Sequence, residues 1–104
     1  MKNRVAPSKS EEQLAEAALC RALLALRTAE EARAFLRDLC TPAELQALVD
    51  RWRVVGLLRQ GMTYRQINEQ TGISVTTIGR VARFLADGNG GYLVVADRLD
   101  GENS

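Results

Sequence analysis

The chain of 104 residues has 26% charged residues, no histidine and a formal net charge of +1. This length suits one domain, and no apolar run approaches the roughly 20 residues of a membrane-spanning helix. The absence of histidine excludes most zinc sites and every mechanism that uses a histidine base. No apolar signal segment follows the charged N-terminus, so we expect a cytoplasmic protein without a membrane partner.

The first part of the chain predicts two helices after a flexible N-terminus at residues 1–9. Ser10 begins a capping-box pattern, and apolar residues at helical spacing follow it to about Arg27. Thr28 opens a second, shorter amphipathic helix, which ends at Cys40.

The two cysteines, Cys20 and Cys40, both lie among apolar positions of these predicted helices. This setting favours small buried side chains with reduced thiols. A redox switch is the alternative.

The third predicted helix has the clearest start in the chain. Thr41 caps it, Pro42 occupies the first helical position, where no N–H is needed, and Glu44 completes a capping box. The helix continues to Gln60 and ends at Gly61. Its apolar residues are Leu45, Leu48, Val49, Trp52, Val54, Val55, Leu57 and Leu58. They cover several faces, which a single small chain cannot bury, and this predicts contact with a second copy.

Residues 63–86 predict two short helices joined by a tight turn, a helix–turn–helix. Thr63 and Gln66 form a capping box, Gly72 suits a turn with positive φ, and Ser74 caps the second helix. The positions of the second helix predicted to face inward are Ile78, Val81 or Ala82, and Leu85. The positions predicted to face outward are Thr76, Thr77, Gly79, Arg80 and Arg83. Small residues with arginines suit close approach to a DNA major groove.

The charge distribution supports this reading weakly. Residues 41–85 contain six arginines against three acidic residues (net +3), whereas residues 86–104 contain one arginine against four acidic residues (net −3). Positive charge on one part of the chain favours contact with DNA phosphates.

The last part of the chain predicts a hinge and one more helix. Residues 88–91 are glycine-rich, and residues 92–99 form a short helix rather than a strand, because nothing else could pair with a lone strand. The sequence therefore predicts an all-α fold of about six helices, with one helical DNA-binding domain at residues 10–99 and a flexible C-terminus at residues 100–104.

Three fragments in this order resemble the Trp repressor family, and within it the YerC/YecD-type branch. They are Leu-Cys-Thr-Pro-Ala-Glu-Leu at 39–45, Asp-Arg-Trp-Arg at 50–53 and Gly-Asn-Gly-Gly-Tyr-Leu-Val-Val-Ala-Asp-Arg-Leu at 88–99. The resemblance implies an intertwined homodimer that presents two helix–turn–helix motifs on one face. Two-fold symmetry in turn predicts a pseudo-palindromic operator with half-sites about 34 Å apart.

By position, the resemblance implies DNA contacts from Arg65 on the first helix of the motif and from Val75, Thr76 and Gly79 on the second. Tyr64 and Asn68 lie on the same edge. The predicted DNA-binding residues are Tyr64, Arg65, Asn68, Val75, Thr76, Thr77, Gly79 and Arg83. For Arg83, a phosphate contact and a salt bridge to Asp87 at i+4 are both compatible with the sequence.

The resemblance also implies an effector pocket, formed by Arg51, Arg80, Val81 and Phe84. In the Trp repressor two arginines hold the indole of tryptophan, and Arg51 and Arg80 stand at the matching positions. Val81 and Phe84 replace small residues that make room for the amino acid. We hypothesise that Phe84 stacks between the two guanidinium groups as a built-in ligand, so that tryptophan is not a corepressor. Another small-molecule effector remains open.

The sequence therefore predicts a sequence-specific transcriptional regulator, expected to be a repressor, that binds double-stranded DNA as a homodimer. No cofactor and no metal are expected. The alternative is a helix–turn–helix module for protein interaction or DNA handling that has no operator of its own. An enzyme is not predicted, because the chain lacks histidine, clustered carboxylates and a phosphate-binding glycine loop.

Overall fold

The computed structural model describes residues 5–102, and in this range it contains six α-helices and no strand. They are α1 (Lys9–Ala25), α2 (Ala29–Leu39), α3 (Pro42–Arg59), α4 (Tyr64–Thr71), α5 (Val75–Asp87) and α6 (Gly91–Glu102). The predicted all-α fold is confirmed. None of these helices combines the length and apolar character needed to cross a lipid bilayer.

The two predicted flexible ends fall partly outside the described residues, namely at 1–4 and 103–104. The last segment is helical, as predicted in preference to a strand, and it continues past Leu99 to Glu102. The last turn of α6 therefore occupies the start of the tail predicted at 100–104.

Side-chain caps define where the helices begin. Thr28 caps α2 and Ser74 caps α5, as predicted. The predicted start of α1 at Ser10 is wrong, because Ser8 is the cap and its Oγ accepts a hydrogen bond from the Glu11 amide at 3.2 Å. Ser8 and Ser10 each precede a glutamate or glutamine by three residues, so both fit the capping pattern. The helix also ends earlier than predicted, at Ala25.

The chain divides into two compact units, residues 1–41 and residues 42–104. In the first unit, neither α1 nor α2 contains a buried residue. Cys20 is exposed and Cys40 is half-buried, so the expectation of buried thiols is wrong. The apolar residues near these cysteines in α1 and α2 are therefore not part of a buried core. A single domain over residues 10–99 stays a prediction.

The second unit has its core where α3 meets the helix–turn–helix. The buried residues of this core are Val54, Val55, Ile67, Ile73, Ile78 and Val81. Burying an aliphatic side chain of this size stabilises the fold by about 1.5–3 kcal/mol. Ile78 and Val81 face inward from α5 as predicted, and Leu85 packs against the same core. This core fixes α4 and α5 against α3.

The predicted excess of apolar residues on α3 is present. Val54 and Val55 are buried, whereas Leu48 is 40%, Val49 is 51% and Trp52 is 40% exposed. The rings of Trp52 and Tyr92 lie 6.3 Å apart between centroids and are tilted by 40°. One side of α3 therefore builds the core, and another side carries apolar residues toward solvent.

An ion-pair cluster connects the end of α3 to α6. Arg59 Nη2 donates hydrogen bonds to Asp97 Oδ1 at 2.9 Å and to Asp100 Oδ2 at 3.0 Å. The hydrogen bonds that Arg59 donates to Asp100 and Asp97 raise the pKa of Arg59 above its usual value. These contacts hold α6 beside α3.

Candidate nucleic-acid interface

The start of α4 is fixed by reciprocal hydrogen bonds. The Thr63 hydroxyl accepts from the Gln66 amide at 3.1 Å, and the Thr63 amide donates to Gln66 Oε1 at 2.8 Å. This is the capping box that the sequence predicts. It satisfies amide groups that would otherwise lack partners and sets where the first helix of the motif begins.

The turn between α4 and α5 depends on a left-handed glycine. Gly72 has φ 75° and its amide donates to the Asn68 carbonyl at 2.8 Å. A side chain at this position would be strained, because residues other than glycine rarely adopt positive φ. Gly72 therefore performs the role predicted from the sequence.

Two polar side chains hold the turn from within. Asn68 Nδ2 donates to the Ile73 carbonyl at 2.9 Å. The Thr71 hydroxyl donates to the Ile67 carbonyl at 2.7 Å and accepts from the Ile73 amide at 3.0 Å. Thr71 was not predicted as part of this site, although threonine side chains are known to bond the carbonyl four residues back and the amide two residues on. Asn68 was predicted to contact DNA, and this contact stays a prediction beside the role of its side-chain amide in the turn.

Ser74 and Thr77 form the start of α5. Ser74 Oγ accepts from the Thr77 amide at 3.1 Å and donates to Thr77 Oγ1 at 3.0 Å. Thr77 is half-buried, whereas Thr76 beside it is exposed. Of the two threonines, Thr76 is thus the one whose side chain faces solvent without a part in the cap.

Apart from Arg83, the remaining predicted residues of α4 and α5 lie at exposed or half-buried positions, and we call the surface that they form the reading edge. It consists of Tyr64, Arg65, Val75, Thr76 and Gly79. Tyr64 is 42% and Val75 is 55% exposed. A Cβ atom added to Gly79 would lie 3.9 Å from Tyr64 Cε2, which is ordinary contact, so the Tyr64 ring lies beside Gly79 and links the two helices. The edge offers hydroxyls, a guanidinium and an apolar side chain together.

The arginines near this edge differ in their partners. Arg65 Nε donates to Glu69 Oε1 at 2.9 Å, and the two side chains are 88% and 61% exposed. Arg83 is exposed, and among residues 5–102 no ion pair joins it to Asp87. A phosphate contact by Arg83 therefore stays a prediction, without the salt bridge that was its alternative.

A cavity of about 540 Å³ lies between α3, α5 and α6 beside this region. Its lining includes Trp52, Arg80, Phe84, Asn89, Tyr92 and Val95. Four of these, Trp52, Asn89, Tyr92 and Val95, were not predicted for the pocket, because their proximity to Arg80 depends on how α3 and α6 pack. Within residues 5–102 no group of three histidine, cysteine or acidic side chains is placed to hold a metal ion.

The effector pocket predicted from the sequence is only partly formed. The Arg80 guanidinium carbon lies 4.6 Å from the centroid of the Phe84 ring, which is a cation–π contact. In the part of the chain that the structure describes, no such contact joins Arg51 to Phe84. Val81 is fully buried and belongs to the core, and its part in an effector pocket stays a prediction. Its position on α5 turns it inward with Ile78.

The capped helices, the left-handed turn and the exposed edge define a helix–turn–helix protein, the class in which the second helix of the motif can enter a DNA groove. Residues 14–100 match the sequence model of the family described as Trp repressor protein. Since the match covers most of the sequence, the chain belongs to the Trp repressor family.

Individual relatives agree with this assignment. The uncharacterised protein YerC of Bacillus subtilis (strain 168) is 43% identical over 81 residues, which is 78% of each chain. A solved TrpR-like protein from Eubacterium eligens ATCC 27750 is 42% identical with a TM-score of 0.78, covering 84% of this chain and 90% of that one. A proposed Trp repressor from Staphylococcus aureus is 38% identical with a TM-score of 0.80, covering 90% and 96%. The resemblance to the YerC-type branch is confirmed.

Proposed function

We propose that this protein is a cytoplasmic transcriptional regulator, a repressor, that binds a specific sequence of double-stranded DNA as a homodimer. Membership of the Trp repressor family supports a DNA-binding regulator. The observation that carries the proposal is the reading edge, which lies on two helices whose buried core packs them against α3. In helix–turn–helix proteins the second of these helices contacts bases, which supports the proposal.

The chemistry of the reading edge suits the direct reading of bases. A guanidinium such as that of Arg65 can bond both acceptors of a guanine in the major groove. The hydroxyl of Thr76 can donate or accept, and the apolar Val75 can contact a thymine methyl group. Gly79 adds no side chain of its own, so the backbone of α5 can approach the DNA closely. Arg83 supplies a further positive charge for phosphate.

Exposed apolar side chains support the homodimer. On α3, Leu48, Val49 and Trp52 are 40%, 51% and 40% exposed. On α1, Leu14 and Leu24 are 71% and 84% exposed. Apolar surface of this kind marks protein–protein contacts. A two-fold dimer carries two reading edges and binds a pseudo-palindrome with half-sites about 34 Å apart.

The Arg80–Phe84 contact supports regulation without tryptophan. The Phe84 ring already lies 4.6 Å from the guanidinium that the family resemblance assigns to the indole of the amino acid. A tryptophan that stacks on the same face of Arg80 would have to displace this ring. We therefore expect isothermal titration calorimetry with tryptophan to show no saturable heat, and saturable binding at micromolar concentration would contradict this part of the proposal. The cavity beside Arg80 leaves room for another small effector.

The test of the function is selection of bound duplexes from a random DNA pool by the purified protein. The salt concentration should be near physiological, because low salt strengthens non-specific binding to phosphates. A Thr76→Asp variant is the matched control. An acidic residue is favourable in the first turn of a helix, so the fold is retained, while the added carboxylate cancels the single positive charge of the reading edge and repels phosphates.

The proposal predicts that the wild-type protein enriches a two-fold-symmetric motif and that the Thr76→Asp variant does not. If the wild-type protein enriches no motif, even with amino acids and cell extract added, the proposal is wrong. The alternative, a helix–turn–helix module that serves protein interaction or DNA handling, would then be preferred.

A further inference from the structure

Glu69 is an acidic residue within the helix–turn–helix, and its carboxylate is bound to an arginine of the reading edge. Glu69 Oε1 accepts a hydrogen bond from Arg65 Nε at 2.9 Å. A carboxylate so close to DNA would repel phosphates and reduce the attraction that Arg65 provides. The presence of this pair therefore needs an explanation.

Helix stability does not explain the pair. The two side chains are 88% and 61% exposed, and exposed i,i+4 pairs contribute little. The order of the charges also opposes the helix dipole. Arg65 lies in the first turn of α4, where positive charge is unfavourable, and Glu69 lies in the last turn, where negative charge is unfavourable.

The geometry of the bond suits the orientation of an arginine. The carboxylate engages Nε, and a planar guanidinium has several further N–H donors on its other edges. Those donors remain available for the two acceptors of a guanine. A guanidinium that is held before DNA binds loses less conformational freedom when it makes this contact.

We infer that Glu69 is a positioning residue that orients Arg65 toward base edges and weakens its binding to phosphates, and so raises sequence specificity at the cost of total affinity. The inference rests on the proposed DNA-binding function. Glu69 touches Arg65, and its effect on DNA recognition acts through that side chain.

The test compares the full-length protein with its Glu69→Gln variant, which keeps the size of the side chain and removes the charge. Glu16→Gln is the matched control, because Glu16 is also exposed on a helix but lies outside the helix–turn–helix. The probes are the duplex that the wild-type protein enriches from a random pool and a duplex of equal length with the base order shuffled. Fluorescence anisotropy over a series of salt concentrations gives both affinities.

For Glu69→Gln we expect the ratio of the two affinities to fall by about three- to fivefold, because the weak orienting contact is lost at both half-sites. The affinity for the shuffled duplex rises. The slope of the logarithm of this affinity against the logarithm of salt concentration becomes steeper by about one for each reading edge, because Arg65 becomes free to bind a phosphate. Glu16→Gln leaves the ratio unchanged.

A double-mutant comparison separates the role through Arg65 from a general charge effect. In a protein that already carries Arg65→Ala, adding Glu69→Gln should leave the affinity ratio unchanged. The inference is overturned if Glu69→Gln has the wild-type ratio, or if its effect persists without Arg65. If the wild-type protein does not distinguish the two duplexes at all, the proposed function fails, and the inference fails with it.

Discussion

The two units of the chain use apolar residues in different ways. In residues 42–104 the aliphatic side chains of α3, α4 and α5 bury one another, so the helix–turn–helix has its own core. In residues 1–41 the helices are equally regular and well capped, yet Leu14 and Leu24 are 71% and 84% exposed. A regular, well-capped helix therefore does not show that a hydrophobic core is present. A core requires side chains from distant parts of the sequence to pack against one another.

This difference has a physical consequence for stability. A helix of α1 length is marginal in water unless one side is packed. The second unit supplies such packing for its own helices, whereas α1 and α2 contain no buried residue. Under the proposed homodimer, a second copy supplies the surface that covers the exposed apolar residues.

The largest effect is expected from Trp52→Ala. In a homodimer that buries this ring, its loss lowers the free energy of unfolding by about 3–5 kcal/mol. In an isolated chain the ring is already 40% exposed, so the loss would be smaller. Urea unfolding at two protein concentrations measures the free energy of unfolding, and sedimentation velocity measures the oligomeric state. A monomeric wild-type protein whose stability hardly changes in the variant would contradict the dimer.

The core of the second unit is tested by Ile78→Ala. Ile78 is 0% exposed, and emptying its site should lower the free energy of unfolding by about 2–5 kcal/mol. Val75→Ala is the control on the same helix, since Val75 is 55% exposed and should change stability by no more than about 0.5 kcal/mol. Equal effects of the two substitutions in urea unfolding would show that α5 does not bury Ile78.

The reading edge is tested by Arg65→Ala and Thr76→Ala. Each should weaken binding to an enriched duplex by about 1–3 kcal/mol per half-site if its side chain touches a base. Arg98→Ala removes the same charge from α6 and serves as the control. Circular-dichroism melts check the fold. A variant that melts at the wild-type temperature and binds with unchanged affinity removes its residue from the reading edge.

The smallest effect on stability is expected from Gly79→Ala. The added methyl group would lie 3.9 Å from Tyr64 Cε2, so it fits without strain. Alanine is a better helix former than glycine, and the free energy of unfolding should rise by about 0.5–1 kcal/mol. Affinity for an enriched duplex should fall, because the methyl group separates α5 from the DNA. Unchanged affinity would mean that Gly79 does not approach the DNA closely.

Much of the helix–turn–helix could be predicted because its determinants are local. A cap, a turn glycine and the apolar spacing lie within a few residues of the groups that they affect. Thr63, Gly72 and Ser74 were therefore assigned correctly from the sequence. Ser8 and Ser10 both fit the same capping pattern, so the pattern alone could not identify the cap of α1. The prediction of Ser10 was therefore wrong.

The features that could not be predicted are contacts between distant parts of the chain. Burial of Cys20 was expected from its apolar neighbours, but no core forms around it in α1. The proximity of Trp52 and Tyr92 to Arg80 depends on how α3 and α6 pack. The role of the Asn68 amide in the turn depends on where Ile73 lies after folding. None of these relations is visible in residue spacing.

The most direct test of the account is to map amide chemical shifts of the labelled protein as an enriched duplex is added. If no motif is enriched, a duplex of mixed sequence is used. We predict the largest shifts at the reading edge, from Tyr64 and Arg65 on α4 and from Val75 to Gly79 on α5. Shifts confined to α1, α2 or α6, or no shifts at near-physiological salt, would contradict the claim that this helix–turn–helix reads DNA.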